Sequence, residues 1–181
     1  DGIRDTSVTG VQTCALPISQ ITDKSEVEVL CLLDNMNMTI GEKRQKLFEL
    51  AKGKYFAFVD DDDDINMNYV NEILTAIESN SDVITFRQIS FINGEPFQVN
   101  FSLKNENEEA YKVNGVWQDI NRKPFHVCVW KKKVCTGCFF PSINYGEDAF
   151  FAECAAKNAI TETHINKVLH YYNFDSTLTR A

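Results

Sequence analysis

The stretch TIGEKRQKLFELAKGKYFAFVDDDD, residues 39–63, decides the fold because it joins a helix, a strand and a row of carboxylates. Thr39 followed three residues later by Glu42 is a capping-box pattern, which predicts that a helix begins here. Apolar residues then recur at helical spacing until Gly53, which predicts the end of the helix. The aromatic-rich run at 54–59 predicts a strand. The five aspartates Asp60–Asp64 therefore follow directly on a strand end.

The first residues of the chain have a different character. Residues 1–18 show no hydrophobic period, no helix cap and no turn pattern. They can be encoded by the two constant parts of an indexed adapter oligonucleotide for short-read sequencing, with Thr6-Ser7 in place of the index. We therefore interpret residues 1–19 as translated adapter and exclude them from fold prediction. Residues 20–181 are predicted to form one partial domain whose natural beginning is missing.

Composition limits the classes of protein to which the chain can belong. Its 181 residues carry a net charge of −8 with a pI near 4.9, which disfavours nucleic-acid binding. No apolar run approaches the roughly 20 residues of a transmembrane helix. Outside the adapter the cysteines are odd in number and scattered, which predicts reduced thiols in a cytoplasmic protein. The lone Cys135-Thr-Gly-Cys138 pair lacks the second pair that a structural zinc site needs.

Strand patterns recur along the rest of the chain. Val27–Asp34 is a nearly continuous apolar run, as expected for a strand that is buried on both faces of a parallel sheet. Another strand is predicted at 82–88, followed by a hairpin about Asn93-Gly94. The run at 160–175 predicts closing strands.

Two further helices are predicted between these strands. One follows the aspartates and is capped by Asp64 or Asn66. The other spans 145–159 and opens at acidic residues. Its inward-facing residues are predicted to be Phe150, Phe151, Cys154 and Ala155. The alternation of helices and strands indicates an α/β domain with a mixed, mainly parallel sheet flanked by helices.

The aspartate run Asp60–Asp64 lies where open α/β sheets bind their ligands, at the carboxyl end of a strand. Carboxylates in such a place suit Mg²⁺ or Mn²⁺, which bridges to phosphate oxygens. A calcium loop is excluded, because its glycine position holds Ile65 and its twelfth position holds Asn71. Since charge runs are usually solvated, spacing alone leaves a metal site and a solvated acidic turn equally supported.

Together with INYGEDAFF at 143–151, the stretch at 39–63 resembles the inverting family 2 glycosyltransferases. The resemblance rests on the order and spacing of the motifs and extends from about Val27 to the C-terminal strands. It implies the GT-A fold, a Rossmann-like α/β domain, without its first strand and helix. It also implies transfer of a sugar from a UDP- or GDP-linked donor to a glycan or other hydroxyl acceptor, in bacterial or phage surface-glycan synthesis.

The resemblance also assigns roles to residues on the donor side. Asp34 takes the place of the residue that recognises the nucleotide base, and Arg44 that of the basic residue near the diphosphate. Asp60 and Asp61 are assigned to the substrate, with Asp60 near the ribose. The metal ligands are assigned to Asp62, Asp60 and the late His170. In a run of five aspartates, a register one residue later stays open.

On the acceptor side the resemblance assigns catalysis to Glu147 and Asp148, with Asp148 as general base. A carboxylate there would remove the proton of the attacking hydroxyl. A metal ion and Arg44 would stabilise the negative charge that grows on the departing diphosphate. Without the resemblance, Glu147-Asp148 would be read as ordinary acidic residues at a helix N-terminus.

Two other functions stay open at the level of sequence. One is a sugar-nucleotide nucleotidyltransferase, against which the Glu147-Asp148 helix argues. The other is a non-catalytic metal- or nucleotide-binding fragment. Because one wall of the nucleotide pocket is expected to be missing, the 181-residue chain itself is predicted to have weak or no activity. The expected location is the cytoplasm, or the periphery of the inner membrane.

Overall fold

The computed structural model describes residues 20, 24–35 and 37–177, so the predicted adapter residues 1–19 lie outside the described part. The helices in that part are α1 (Ile40–Leu50), α2 (Tyr69–Ile77) and α3 (Glu147–Asn158). The strands are β1 (Tyr55–Phe56), β2 (Asp64–Ile65), β3 (Val83–Ile92), β4 (Glu95–Phe101), β5 (Lys112–Val113), β6 (Val116–Trp117), β7 (Ile120–Arg122), β8 (Val129–Lys131) and β9 (Glu162–Phe174). A 3₁₀ helix spans Lys132–Cys135.

Seven strands form one mixed sheet, and β5 and β6 form a separate hairpin. The central strand β3 pairs antiparallel with β4 and β8 and parallel with β9. β1 joins β8 and β2 joins β9 in antiparallel fashion, whereas β7 lies parallel to β4. The predicted mixed α/β class is confirmed. Within the described residues, two of the six strand pairings of this seven-stranded sheet are parallel, so it has more antiparallel pairings than the sequence suggested.

The hairpin between β3 and β4 explains part of that difference. Its register pairs Ile92 with Glu95, which leaves Asn93 and Gly94 as a two-residue turn. Both have positive φ, 51° and 82°, as a type I′ turn requires. Such a short turn can join only antiparallel strands. The hairpin predicted about Asn93-Gly94 is therefore confirmed.

Helix α1 begins as its sequence predicts. The Thr39 hydroxyl accepts from the Glu42 amide at 3.2 Å, and the Glu42 carboxylate accepts from the Thr39 amide at 2.7 Å. This reciprocal pair satisfies two amides that a helix start would otherwise leave without partners. At the other end the helix stops at Ala51, two residues before Gly53.

The strand predicted at Val27–Asp34 is absent: residues 27–34 have no regular secondary structure. Leu33 is 70% exposed, which contradicts a strand buried on both faces. Residues 24–31 instead run along a cavity of about 1090 Å³ that is also lined by residues 51–61 and by α2. A strand forms only where a neighbouring strand pairs with it. Within the described residues β1 pairs with β8 alone, so it offers residues 27–34 no strand pairing.

The start of α2 also differs from the prediction. The helix begins at Tyr69 with Asn68 as its N-cap, not with Asp64 or Asn66. The reason is that Asp64 and Ile65 are extended as β2 and pair with β9, so they cannot enter a helix. The Asn66 carbonyl still accepts from the Tyr69 amide at 2.9 Å.

Helix α3 spans almost the predicted range, and Phe151 and Ala155 are fully buried. Phe150 was predicted to face inward but is 49% exposed and contacts Phe139 on the surface. It adjoins Phe151 in sequence, and neighbouring positions on a helix point about 100° apart.

One disulfide contradicts the prediction of reduced thiols. Cys138 is bonded to Cys154 of α3, whereas Cys128 and Cys135 are buried thiols. Cys138 is therefore not paired with Cys135, its neighbour in the lone CxxC motif. The bond forms because α3 packs beside the 3₁₀ helix and the loop that follows it. It removes the thiol pattern on which the expectation of a reducing compartment rested.

Two apolar clusters cover the sheet and leave one end of it polar. One contains Trp130, Phe140 and Phe151, and the other contains Ile84, Phe86 and Leu169. The aspartate run follows β1, and its last member, Asp64, lies in β2 beside the buried Ile65. In the described residues, no helix is long and apolar enough to cross a membrane.

Candidate active site

The aspartate run forms a turn that sends its members in different directions. The Asp63 amide donates to the Asp60 carbonyl at 3.2 Å, which closes the turn. Asp61 and Asp62 are exposed on it, and Asp60 is half-buried. Asp63 is only 1% exposed. The run is therefore not a uniformly solvated acidic turn.

A buried arginine connects this turn with helix α3. Arg44, on the inner face of α1, donates from Nη2 to both oxygens of Asp60, at 2.6 and 2.7 Å. Its Nη1 donates to Glu147 Oε1 at 2.7 Å and lies 3.6 Å from Asp148 Oδ2. Four residues predicted for the site thus meet in one ionic cluster. Because its guanidinium binds protein carboxylates, Arg44 acts here as the link between two elements.

The ionisation of this cluster follows from burial and pairing. Burial by itself would raise the pKa of Asp60, but His126 and Arg44 outweigh it and hold that pKa well below its usual value. Burial would lower the pKa of Arg44, yet its carboxylate neighbours raise it. For Glu147 burial prevails over Arg44, so its pKa is raised.

Asp148 is the more accessible of the two acidic residues at the start of α3. Glu147 is buried, whereas the Asp148 side chain is 24% exposed. Its Oδ1 accepts from the Ala149 amide at 2.6 Å, while Oδ2 faces Arg44. The geometry therefore gives Asp148 access to an incoming molecule and gives Glu147 a holding role.

The spacing between α1 and α3 depends on Gly41. Its amide donates to the Ile143 carbonyl at 3.0 Å. A Cβ at this position would overlap the Pro141 carbonyl oxygen and lie 3.2 Å from Glu147 Cβ. Only glycine lets the loop before α3 approach the start of α1 this closely.

The sequence prediction missed His126, which completes the cluster. Its ring is buried, with Nε2 at 3.3 Å from Asp60 Oδ2 and Nδ1 at 3.5 Å from Asp148 Oδ2. No local motif marks this histidine. The antiparallel pairing of β1 with β8 brings the turn that holds His126, just before β8, close to the aspartate turn that follows β1.

A second buried pair lies on the other side of the turn. His170 is fully buried, and its Nε2 lies 3.3 Å from Asp63 Oδ2. Its Nδ1 is 3.1 Å from Gln88 Oε1, and the Asn173 amide donates to Asp63 Oδ1 at 3.0 Å. Burial raises the pKa of Asp63 to about 8 and lowers that of His170 to about 4. Burial therefore favours the uncharged form of both members of this pair.

The predicted metal ligands are thus divided between two places. Asp60 is bound by Arg44, and His170 faces Asp63. Within the described residues, no three His, Cys, Asp or Glu side chains form a group that could hold a metal ion. Mg²⁺, however, often binds one or two carboxylates and completes its shell with waters and substrate phosphates. Partial burial and the charge of Asp60 raise the pKa of Asp62.

Asp34, the predicted base-recognition residue, is not part of the cluster. Its Oδ2 accepts from the amides of Asn37 and Met38 at 2.8 and 2.9 Å, and Lys43 lies 3.2 Å from Oδ1. The Met38 amide is the main cause of a lowered pKa. The carboxylate therefore orders the loop that leads into α1.

Comparison with known sequences identifies the family. The sequence model of Glycosyl transferase family 2 matches residues 20–142, more than half of the chain. The chain belongs to glycosyl transferase family 2. Arg44 and Asp60 fall inside the matched range, and Glu147 and Asp148 follow shortly after it. No curated protein sequence matches this family 2 chain.

Solved structures of S. aureus TarS share the fold of the family 2 chain. TarS 1-349 aligns with a TM-score of 0.58 at 20% identity, over 90% of this chain and 48% of that one. The complex of TarS 1-349 with UDP-GlcNAc aligns with a TM-score of 0.57 at 17% identity, over 93% of this chain and 49% of that one. The complex with UDP aligns with a TM-score of 0.51 at 18% identity, over 75% of this chain and 40% of that one.

The likeness confirms the predicted GT-A-type α/β fold. The chain spans about half the length of the TarS 1-349 structures that it matches. Membership of a glycosyltransferase family also favours glycosyl transfer over the nucleotidyltransferase alternative.

Proposed function

We propose that this chain carries the donor site and the general base of a metal-dependent, inverting glycosyltransferase. The observation that supports the proposal is the cluster in which Arg44 joins Asp60, from the aspartate turn, to Glu147 at the start of α3. A donor-side carboxylate and the accessible Asp148 thereby face one site from two different elements. A single displacement at a sugar carbon needs such a pair of positions.

In the proposed reaction, Asp148 takes the proton of an acceptor hydroxyl as that oxygen attacks the sugar. Oδ2 of Asp148, whose side chain is partly exposed, is the atom that would receive it. Arg44 and Glu147 hold the start of α3 against the aspartate turn, so that the base keeps its place relative to the donor. Attack from the side opposite the diphosphate inverts the configuration of the sugar.

Donor recognition would use the aspartate turn, with Asp60 and Asp61 near the nucleotide and Asp34 as the proposed base-recognition residue. Asp62 would hold Mn²⁺ or Mg²⁺ together with the diphosphate, with His170 as the other proposed ligand. When bound, the ion neutralises charge on the departing diphosphate. The TarS complexes with UDP-GlcNAc and UDP support a UDP-linked donor as the first choice to test, before GDP.

The acceptor we propose is the hydroxyl of a glycan or a related surface polymer in a bacterium or phage. We propose the cytoplasm or the inner face of the membrane as the working location. Both statements rest on the family resemblance of the aspartate turn and the Glu147-Asp148 helix.

Calorimetry of UDP and GDP binding, with and without Mn²⁺, tests the donor site in the full-length gene product. We expect micromolar UDP binding that requires Mn²⁺ and is lost in Asp62→Ala. The matched control is Asp64→Ala, an exposed aspartate of the same run that lies in β2. If neither nucleotide binds in the wild-type protein, or if both variants bind alike, the donor-site proposal fails.

Release of UDP from UDP-GlcNAc, with water as acceptor, tests the base. In Asp148→Asn we expect the rate to fall by about a hundredfold or more, since general bases contribute 10²–10⁴. UDP affinity should stay the same. A variant that releases UDP as fast as the wild type would overturn the assignment of Asp148.

A further inference from the structure

His126 occupies a fixed position between the two halves of the ionic cluster. It lies in a turn in which the Cys128 amide donates to the Phe125 carbonyl at 3.0 Å. The Trp130 indole donates to the same carbonyl, also at 3.0 Å. The rings of Phe125 and His126 contact each other with centroids 4.8 Å apart. With 4% exposure, the imidazole has little freedom to turn.

Each ring nitrogen of His126 faces a different carboxylate. Nε2 lies 3.3 Å from Asp60 Oδ2, an oxygen that Arg44 also binds. Nδ1 lies 3.5 Å from Asp148 Oδ2 and makes no hydrogen bond within the described residues. A buried ring nitrogen without a hydrogen bond is costly, and the nearby carboxylate of Asp148 is the group that can offset this cost.

The carboxylate of Asp148 is consequently held from two sides. Oδ1 accepts from the Ala149 amide at the start of α3, and Oδ2 faces His126 and Arg44. A general base must keep its oxygen within hydrogen-bond reach of the proton that it takes. Rotation of this carboxylate would move Oδ2 away from the site.

We propose that His126 is a positioning residue, which fixes the carboxylate of Asp148 at a set distance from the donor-side Asp60. This rests on the proposed function, in which Asp148 is the base. Nε2 anchors the imidazole to the donor side, where Arg44 already holds Asp60. Nδ1 then orients Asp148. His126 touches neither sugar nor nucleotide in this role and acts through the two carboxylates.

Two substitutions test the contacts of the two ring nitrogens of His126 separately. The amide of glutamine reaches about as far as Nε2, whereas that of asparagine reaches about as far as Nδ1. His126→Gln should therefore keep the contact to Asp60 and lose that to Asp148. His126→Asn should keep the contact to Asp148 and lose that to Asp60.

The experiment measures kcat for UDP release from UDP-GlcNAc and the affinity for UDP in the full-length gene product. For His126→Gln we expect kcat to fall about tenfold to a hundredfold with UDP affinity unchanged, because misplaced groups cost that much. For His126→Asn we expect a kcat within about threefold of wild type, because the base stays oriented. The matched control is His164→Asn, since His164 Nδ1 contacts Thr85 on another part of the sheet. It should leave kcat unchanged.

The outcomes distinguish this proposal from the proposed function. Equal kcat values in the glutamine and asparagine variants overturn the positioning role, whether both fall or neither does. Thermal unfolding of each variant shows whether a common fall reflects lost folding, in which case the role is purely structural and the proposal also fails. If the wild-type protein binds UDP without releasing it from UDP-GlcNAc, the catalytic part of both proposals falls. If it does not bind UDP, the proposed function itself fails.

Discussion

Asp60 and Asp63 stand three residues apart in one run of aspartates, yet the fold gives them opposite charge states. Asp60 is bound by Arg44 and faces His126, and its pKa lies below the usual value in spite of burial. Asp63 faces the neutral ring of His170, and burial raises its pKa to about 8. At pH 7 the first is a carboxylate and the second is a neutral acid. Burial favours the neutral acid at both positions, and only Asp60 has His126 and Arg44 close enough to reverse that effect.

Replacing Arg44, the cation that binds Asp60, has the largest expected effect on stability. In Arg44→Met, the buried Glu147 loses its cation and Asp60 keeps only His126 as a partner, which costs about 3–5 kcal/mol of unfolding free energy at pH 7. Chemical denaturation measures this loss of unfolding free energy. The exposed Lys46→Met on the same helix is the control and should stay within about 0.5 kcal/mol. Equal losses in both variants would show that Asp60 does not depend on Arg44.

A matched pair of substitutions tests the two aspartates directly. Asp60→Asn removes a charged acceptor from Arg44 and should cost about 1.5–3 kcal/mol at pH 7. Asp63→Asn replaces a neutral acid with a neutral amide of the same shape and should change stability by less than about 1 kcal/mol. Denaturation of both variants at one pH gives the comparison. Equal destabilisation by the two changes would contradict the assigned charge states.

The pH dependence of stability follows from the Asp63–His170 pair. Asp63 binds its proton more tightly in the folded state, so it lowers stability as pH rises from about 4 to about 8. His170 binds its proton less tightly when folded, so it lowers stability as pH falls from about 6.5 to about 4. Below pH 6.5 the contributions of Asp63 and His170 to the pH dependence of stability have opposite signs. Above pH 6.5 only the contribution of Asp63 remains. We expect a loss of about 2 kcal/mol between pH 6.5 and 8.

Urea denaturation of the metal-free protein at pH 5.0, 6.5 and 8.0 measures this dependence. Asp63→Asn should abolish the loss above pH 6.5, because it removes the group that titrates. A variant with the slope of the wild type would assign the pH dependence to other groups.

A small effect on stability is expected at Asn173, which supports the part of the turn that holds Asp63. Asn173 donates its backbone amide to Asp63 Oδ1 and its side-chain amide to the Asp62 carbonyl at 3.1 Å. Asn173→Ala keeps the first bond and removes the second, so it should cost about 0.5–1.5 kcal/mol. Thermal unfolding measures it. A loss above about 3 kcal/mol would mean that the side chain, not the backbone, holds the turn.

Local patterns predicted the parts of the fold that short stretches of chain specify alone. The capping box at Thr39 and Glu42 and the turn at Asn93-Gly94 need only neighbouring residues, and both are confirmed. The strand expected at Val27–Asp34 depends on a distant partner strand, which a hydrophobic run cannot reveal. The bond between Cys138 and Cys154 likewise depends on how α3 packs.

The same distinction applies to the site. The family resemblance selected Arg44, Asp60, Glu147 and Asp148, and the structure brings these four together. His126 escaped notice because its contact with Asp60 joins two turns 66 residues apart, which no local pattern encodes. The roles assigned to these residues stay predictions until they are measured.

Gly41 has a consequence for anyone who wishes to alter the protein. No methyl group fits between the start of α1 and the loop before α3, so a larger residue at position 41 would push these two segments apart. Arg44 and Glu147 lie on the two helices that meet here, so their ion pair depends on that spacing. A library of variants of this protein should therefore keep Gly41, together with Asn144, whose side chain accepts from the Ile40 amide.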